Sequence, residues 1–179
     1  MTTPPQVHLR ALDEGDLERT LRWHNDPDLY RTLVDDFRYV SQGAERQWLA
    51  MRTVYSMSEV NLAICLSPSA EHIGNIYLRP INLISRNASL GIFIGEKVHR
   101  GQGYGGQALR EVLKHAFGDL ELERVFLTVL TDNLNAIRLY EKRGFKTEGR
   151  MRRHVLKNGE FKDVLVMGIL RAEFKTTEG

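Results

Sequence analysis

Arg100-Gly101-Gln102-Gly103-Tyr104-Gly105-Gly106 packs four glycines behind an arginine and ahead of an amphipathic stretch that runs to Phe117. An ordinary turn needs one or two glycines, and each costs conformational entropy on folding, so this run implies a backbone that a ligand must approach closely. Phosphate suits such a backbone: consecutive N–H groups at a helix N-terminus converge on its oxygens, and missing side chains leave room for them. The P-loop pattern ends in Gly-Lys-Ser/Thr, whereas Gly106 is followed by Gln107 and Ala108. The dinucleotide fingerprint G-x-G-x-x-G is present as Gly101, Gly103 and Gly106, with Glu121 or Glu123 about twenty residues on. Its glycines should follow the first strand directly, however, and Glu96 to Arg100 intervene, while both acids precede the next strand. The remaining pattern is a pyrophosphate held by the N–H groups of Gln102 to Gly106, with Arg100 adding fixed charge, and coenzyme A carries a pyrophosphate without being a dinucleotide.

The elements that must position this run follow from hydrophobic period. Gln6 to Leu12 reads as a strand, and Asp13 as the N-cap of a helix carrying Leu17, Leu21 and Trp23 and ending near His24-Asn25-Asp26-Pro27. A second helix is expected after Ser41, with Glu45 as an approximate capping-box acid and Trp48, Leu49 and Met51 turned inward. Asn61 to Leu66, Ile73 to Leu78 and Ala88 to Gly95 read as an antiparallel meander with turns at Ser67-Pro68-Ser69 and Ser85-Arg86-Asn87. The glycine run and its helix then lead to a strand from Arg124 to Leu130, forming a β-α-β unit. Asn133 or Asn135 should cap a helix through Tyr140 and Lys142, ended by Gly144 in the left-handed conformation. Phe145 to Leu156 and Phe161 to Leu170 flank Asn158-Gly159, the pair best suited to a type I′ hairpin.

Two motifs in this order resemble the GNAT superfamily of N-acyltransferases. Arg100-x-x-Gly103-x-Gly105 after SLGIFIG is similar to its acyl-CoA motif, and Asn133-x-x-Ala136-x-x-x-Tyr140-x-x-x-Gly144-Phe145 to its later one. The resemblance implies an α/β (α+β) fold: a mixed, mostly antiparallel central sheet of about seven strands, helices on both faces and splayed central strands, as a single domain over 1–179. It implies acetyl-CoA as cosubstrate. Phe93, Ile94 and Gly95 would offer backbone groups to pantetheine, Arg100, Gly101, Gln102, Gly103, Tyr104, Gly105 and Gly106 would hold the pyrophosphate, and Asn133 and Ala136 would meet the pantetheine arm. Tyr140 would point its phenol at the thioester sulfur as general acid.

Direct attack by an amine on the acetyl carbonyl requires alignment above all, and no metal. The histidines show no metal-ligand spacing. Glu96 is the nearest carboxylate in sequence and the candidate base; Thr128 occupies the region where some relatives place a glutamate, so water-mediated deprotonation is the alternative. The acceptor is expected to be a small-molecule amine; the alternatives are a protein N-terminal amine, as in the ribosomal-protein acetyltransferases, or a non-catalytic acyl-CoA-binding module. Trp23, His24 and Asn25, with Ile73-Gly74-Asn75-Ile76 and Ser85-Arg86-Asn87-Ala88, resemble a branch holding ribosomal-protein, spermidine and pseudaminic-pathway amino-sugar acetyltransferases. This places an amino sugar, free or nucleotide-linked, first and a polyamine second.

Composition narrows the rest. With 42% hydrophobic and 27% charged residues, the chain has the make-up of an ordinary soluble fold. It lacks any apolar run near the ~20 residues of a membrane span, and MTTPPQVHLR has no apolar region of signal-peptide type, so a cytoplasmic protein is expected. The single cysteine, Cys65, excludes an internal disulfide and suits core packing. A net charge of +2 gives weak attraction for polyanions, and the basic cluster Lys142, Arg143, Lys146, Arg150, Arg152 and Arg153 alternates faces with few aromatics between. No nucleic-acid role is expected; one or two of these, Lys142 among them, would meet the 3′-phosphate of the cofactor, or a phosphate on a nucleotide-sugar acceptor. The terminal hairpin offers an edge for a homodimer, and KTTEG at the end should fray.

Overall fold

The computed structural model describes residues 6–175; the first five residues of MTTPPQVHLR and most of the tail expected to fray lie outside the described residues. Strand β1, Gln6–Ala11, leads into a single 3-10 turn, Glu14–Asp16, closed by a reciprocal cap. The Asp13 carboxylate accepts from Gly15 N at 2.9 Å and the Asp16 carboxylate from Asp13 N at 2.9 Å, satisfying donors that the turn leaves free. Helix α1, Leu17–His24, follows, then the one-turn helix α2, Pro27–Tyr30, started by Pro27 and capped by Asp26. Helix α3, Gln42–Thr53, starts where Ser41 Oγ accepts from Ala44 N.

Strands β2 (Val60–Ser67), β3 (His72–Asn82) and β4 (Asn87–Ile94) form the meander. Helix α4, Tyr104–Lys114, continues into a π turn at His115–Asp119 and delivers the chain to β5, Arg124–Leu130. Helix α5, Leu134–Lys142, precedes the hairpin of β6, Lys146–Lys157, and β7, Glu160–Leu170. Asn158 and Gly159 both have positive φ, 51° and 81°, as a type I′ turn requires. One seven-stranded sheet runs β1-β2-β3-β4-β5-β7-β6, antiparallel throughout except for the parallel pair β4/β5.

Alternation along β2 divides the core. Ile64 and Leu66 enter the large cluster with Leu109, Val112 and Leu113 of α4, while Ala63 and Cys65 pack with Leu49 of α3 and Leu12. A strand buried on both faces explains why NLAICL reads as a nearly unbroken apolar run. A third cluster joins Trp23, Leu29 and Phe93 beneath α1 and α2.

Three local expectations are corrected. Glu45 is not a capping acid: the residue three after Ser41 is Ala44, and Glu45 turns inward, 1% exposed, with Oε2 2.7 Å from His24 Nδ1. Met51 faces outward at 61% exposure, because the inward stripe of α3 passes through Glu45, Trp48 and Leu49. Strand β3 does not stop at Leu78 but continues to Asn82 through a bulge, where pairing jumps from Leu78↔Leu90 to Ile81↔Ala88.

The indole of Trp23 is 2% exposed and lies against Gly95, where a Cβ would sit 2.2 Å from Trp23 Cδ2. A rigid buried ring cannot move aside, so Gly95→Ala is expected to lower stability by about 1–3 kcal/mol through overpacking. Thermal melts against wild type check this; an unchanged Tm would mean that α1 can shift away from the sheet.

Candidate active site

The site begins with a break in the sheet. Strands β4 and β5 pair only from Asn87↔Arg124 to Ser89↔Phe126, although β5 stays paired with β7 through Leu130↔Val164. Beyond Ser89 the two strands diverge, and the β5-facing backbone groups of Leu90 to Phe93 have no strand partner. A cavity of about 870 Å³ fills the wedge, lined by Leu90 to Ile94 on one side and by Thr128 and Val129 on the other. Unpaired strand edges are hydrogen-bonding surfaces, and an extended amide-bearing chain is the ligand shape they fit.

The glycine run closes one end. Gly101 and Gly103 have φ of 75° and 85°, and nothing lies within 4 Å of where their Cβ atoms would be. Gly103 is the N-cap of α4, and the helix draws its first backbone bonds from Gly106 N and Gln107 N to Gly103 O. Among the described residues no backbone or side-chain group accepts from the N–H groups of Gly101 through Gly105. Left-handed glycines thus leave a series of free donors at the N-terminus of an eleven-residue helix, an arrangement able to take an anion.

Helix α5 supplies the opposite wall. Asn133 caps it, Oδ1 accepting from Ala136 N at 3.2 Å, while its Nδ2 donates to Thr32 O at 3.0 Å and ties in the loop after α2. Asn133, Asn135, Ala136, Leu139 and Tyr140 line the cavity. The helix ends at Gly144, φ 94°, whose turn lets Phe145 N donate to Tyr140 O. The Tyr140 ring is 8% exposed and packs on Phe145, with centroids 5.8 Å apart. Burial pushes its phenol up to about 12, and no described residue hydrogen-bonds its hydroxyl.

The remaining sequence candidates are placed as follows. Phe93, Ile94, Arg100, Gly101, Gly103, Gly105 and Gly106 line the cavity; Gly95, Gln102, Tyr104 and Lys142 do not. Arg100 turns its guanidinium back on the strand, Nε to Ile94 O at 2.9 Å and Nη2 to Gly95 O at 2.8 Å, so it braces the loop. Gly95 N donates to Ile73 O, and its missing side chain serves Trp23. Gln102 donates to Val98 O at 2.5 Å, and Tyr104 is buried against His99. Lys142 is exposed at the end of α5.

Trp23, His24 and Asn25 lie outside the cavity lining. Trp23 Nε1 donates to Glu96 Oε1 at 3.2 Å, His24 meets Glu45, and Asn25 clasps Val40 through both backbone groups at 2.9 Å. Each side chain is thus spent on holding α1 and the following loop. Glu96 is likewise engaged, by Trp23, by Arg22 and by Arg19 at 3.7 Å, and does not line the cavity. The basic cluster is divided: Arg150 pairs with Asp163 at 2.6 Å, Lys146 with Glu173 at 2.5 Å, and Arg153 lies over the Phe161 ring.

Sequence reasoning missed the far end of the cavity, formed by Thr32 to Asp35, Tyr77, Arg79 and Ser89. One signal was available: period two sets Tyr77 and Arg79 on the face opposite Ile76 and Leu78. Gly91 marks the place too, since a Cβ there would meet the Tyr77 ring at 2.2 Å. Among the described residues no group of three or more His, Cys, Asp or Glu could hold a metal ion, and no helix is long and apolar enough to cross a membrane.

A mostly antiparallel sheet parted between two parallel strands, with a glycine nest at the head of the wedge and a buried tyrosine on its wall, is the architecture of an acyltransferase. The chain belongs to the GNAT acetyltransferases: the family model for an acetyltransferase (GNAT) domain matches residues 6–146. It is 30% identical to the spermidine N(1)-acetyltransferase of Vibrio cholerae over 94% of this chain and 95% of that protein. It is 34% identical to the L-amino acid N-acetyltransferase AaaT of Escherichia coli over 90% of this chain and 96% of that protein. The crystal structure of the Vibrio spermidine N-acetyltransferase with CoA and spermine superposes with a TM-score of 0.86 at 29% identity, covering 94% and 97% of the two chains. The protein is therefore an N-acetyltransferase.

Proposed function

We propose that the chain, as one domain, transfers acetyl from acetyl-CoA to a primary amine of a small molecule by direct attack, with Tyr140 as proton donor to sulfur. The observation that carries this reading is that one cavity is lined by the glycine nest, the unpaired edge of β4 and Tyr140. The N–H groups of Gly101 through Gly105 would take the pyrophosphate, the free groups of Leu90 to Phe93 the pantetheine amides, and Asn133 and Ala136 the other side of that arm. The co-crystallised CoA of the Vibrio relative supports the same donor.

Acetyl-CoA supplies an activated acyl carbon; the protein's part is to hold it beside the amine, which is worth up to ~7–11 kcal/mol of barrier. As the C–S bond breaks, negative charge grows on sulfur, and a neutral phenol can donate to it. The ammonium gives up one proton before attack and a second once nitrogen has bonded to the acyl carbon; the departing sulfur gains one proton, so one is released to solvent in each turnover. Asp35 is the one acidic residue among the described residues of the lining, and Thr128 stands on β5 facing the cavity, which supports water-mediated deprotonation over a carboxylate base. Glu96, held by two arginines and an indole, is set aside as base.

Amino sugars, free or nucleotide-linked, stand ahead of polyamines as acceptors, because one lining carboxylate is a poor match for a polycation. Strand β6 forms an open edge of the sheet where a second copy could pair. Thiol release from acetyl-CoA, measured across amino sugars, polyamines, amino acids and N-terminal peptides, tests the reading. Turnover on a small amine is expected; turnover on peptides alone would make the protein an N-terminal acetyltransferase, and saturable acetyl-CoA binding with no turnover would make it a binding module.

A further inference from the structure

We infer that Arg79 is the acceptor-recognition residue, and that the acceptor amine carries an oxyanion, carboxylate or phosphate, which that guanidinium binds. The inference rests on the acetyl-transfer reading for the identity of the site, but its physical basis is separate. The bulge in β3 sets Arg79 and Pro80 together opposite Ser89, and Arg79 lines the cavity at that level. At about 3.3 Å per residue, Ser89 is roughly 16 Å along β4 from Ile94, where the glycine loop begins, so Arg79 sits at the end away from the pyrophosphate nest.

Arg79 is held firmly without a direct ion pair among the described residues, Glu59 acting on it only at longer range. Its guanidinium carbon lies 4.1 Å from the centre of the Tyr77 ring and 5.8 Å from that of Trp48. Its Nη1 donates to Asn61 Oδ1 at 3.1 Å, and Asn61 in turn donates from Nδ2 to Glu59 at 3.2 Å. Glu59, the acid behind this chain, is itself paired with Arg52 at 2.5 Å. Among the described residues no carboxylate lies within ion-pairing distance of Arg79. A half-buried cation stacked on an aromatic face, anchored through one nitrogen and with donors left over, is a fork awaiting an anion. Asp35 supplies one negative group to the same cavity, so the acceptor end presents one charge of each sign, which fits a zwitterion or an anionic amine and not a polycation.

Matched acceptors test this: an α-amino acid against its carboxamide, an amino-sugar phosphate against the free amino sugar, and spermidine, each measured as kcat/KM with wild type, Arg79→Ala and Arg79→Lys. Wild type is expected to prefer the charged member of at least one pair by tenfold or more, and which pair responds separates carboxylate from phosphate. Arg79→Ala should cut that activity 10- to 100-fold, mainly through KM, and erase the preference, while Arg79→Lys restores part of it. Equal use of charged and neutral partners, preference for spermidine, or a preference that survives Arg79→Ala would overturn the inference. Calorimetric binding of the charged amines to the CoA-loaded protein keeps the two readings apart. Binding lost in Arg79→Ala with no turnover on any amine upholds anion recognition and sinks catalysis; turnover without Arg79-dependent binding does the reverse.

Discussion

Tyr140→Phe is expected to lower kcat by about 10²- to 10⁴-fold, the range typical for removal of a positioned proton donor, while acetyl-CoA affinity measured by calorimetry stays close to wild type. The substitution keeps the ring that packs on Phe145 and removes only an oxygen that no described residue hydrogen-bonds, so folding should be little affected. Because burial pushes the phenol up to about 12, Tyr140 stays protonated across the neutral range. The pH dependence of turnover should therefore rise as the acceptor amine deprotonates and show no falling limb from Tyr140 below about pH 11. A variant retaining turnover within a factor of about three would remove Tyr140 from the mechanism.

The glycine loop and the capped helix that line the cavity were legible in the chain because each is encoded locally. Glycines that must adopt positive φ are visible as glycines, and a cap for α5 is visible at Asn133 or Asn135, of which the fold uses Asn133. The resemblance to a family added the splay, which no local pattern encodes: nothing in β4 or β5 marks Ser89 and Phe126 as the last pair.

The end of the cavity formed by Thr32 to Asp35, Tyr77 and Arg79 was hidden because it is assembled from distant segments. The loop through Thr32 to Asp35 is set by Lys157 at the far end of the terminal hairpin, whose Nζ reaches Tyr30 O at 3.2 Å and Asp35 O at 2.5 Å, and by the clasp of Asn25 on Val40. Arg79 is followed by a proline, which ordinarily ends a strand, and the bulge that accommodates it appears only once β4 is laid alongside. Trp23, His24 and Asn25 were chemically attractive side chains whose polar atoms the fold uses itself. Their partners, Glu96, Glu45 and Val40, lie 15 or more residues away in sequence.

Removing Asp16 is expected to cause the largest loss of stability. Its carboxylate is buried, 3% exposed, at the junction of β1, the turn before α1, and β3. Arg10 grips it with both Nη atoms at 2.7 and 2.8 Å, Asp13 N donates at 2.9 Å, and His72 Nδ1 lies 2.9 Å from Oδ1. Burial alone would raise the Asp16 carboxyl, but the bonds from Arg10, His72 and the Asp13 amide outweigh it and hold the group far below the ordinary carboxylate range. Breaking a buried pair by deleting one partner costs about 3–5 kcal/mol. The Arg10 side chain is 38% exposed and can turn to water, so Asp16→Ala should fall near the lower end, with His72, 2% exposed, left facing an empty site. Asp16→Asn keeps an acceptor for Asp13 N but loses the charge, and should cost less. A carboxyl more acidic in the native than in the unfolded chain stabilises above pH ~4 and ceases to do so as pH falls further. Urea titrations at about pH 7 and pH 3 should therefore show wild type losing stability on acidification and Asp16→Asn losing less of it. Equal acid sensitivity in the two proteins would place the labile carboxylate elsewhere. Since α1 reaches the cavity wall through the edge contact of Trp23 with Phe93, at 5.9 Å, the weakened variant should also bind acetyl-CoA less tightly before it unfolds.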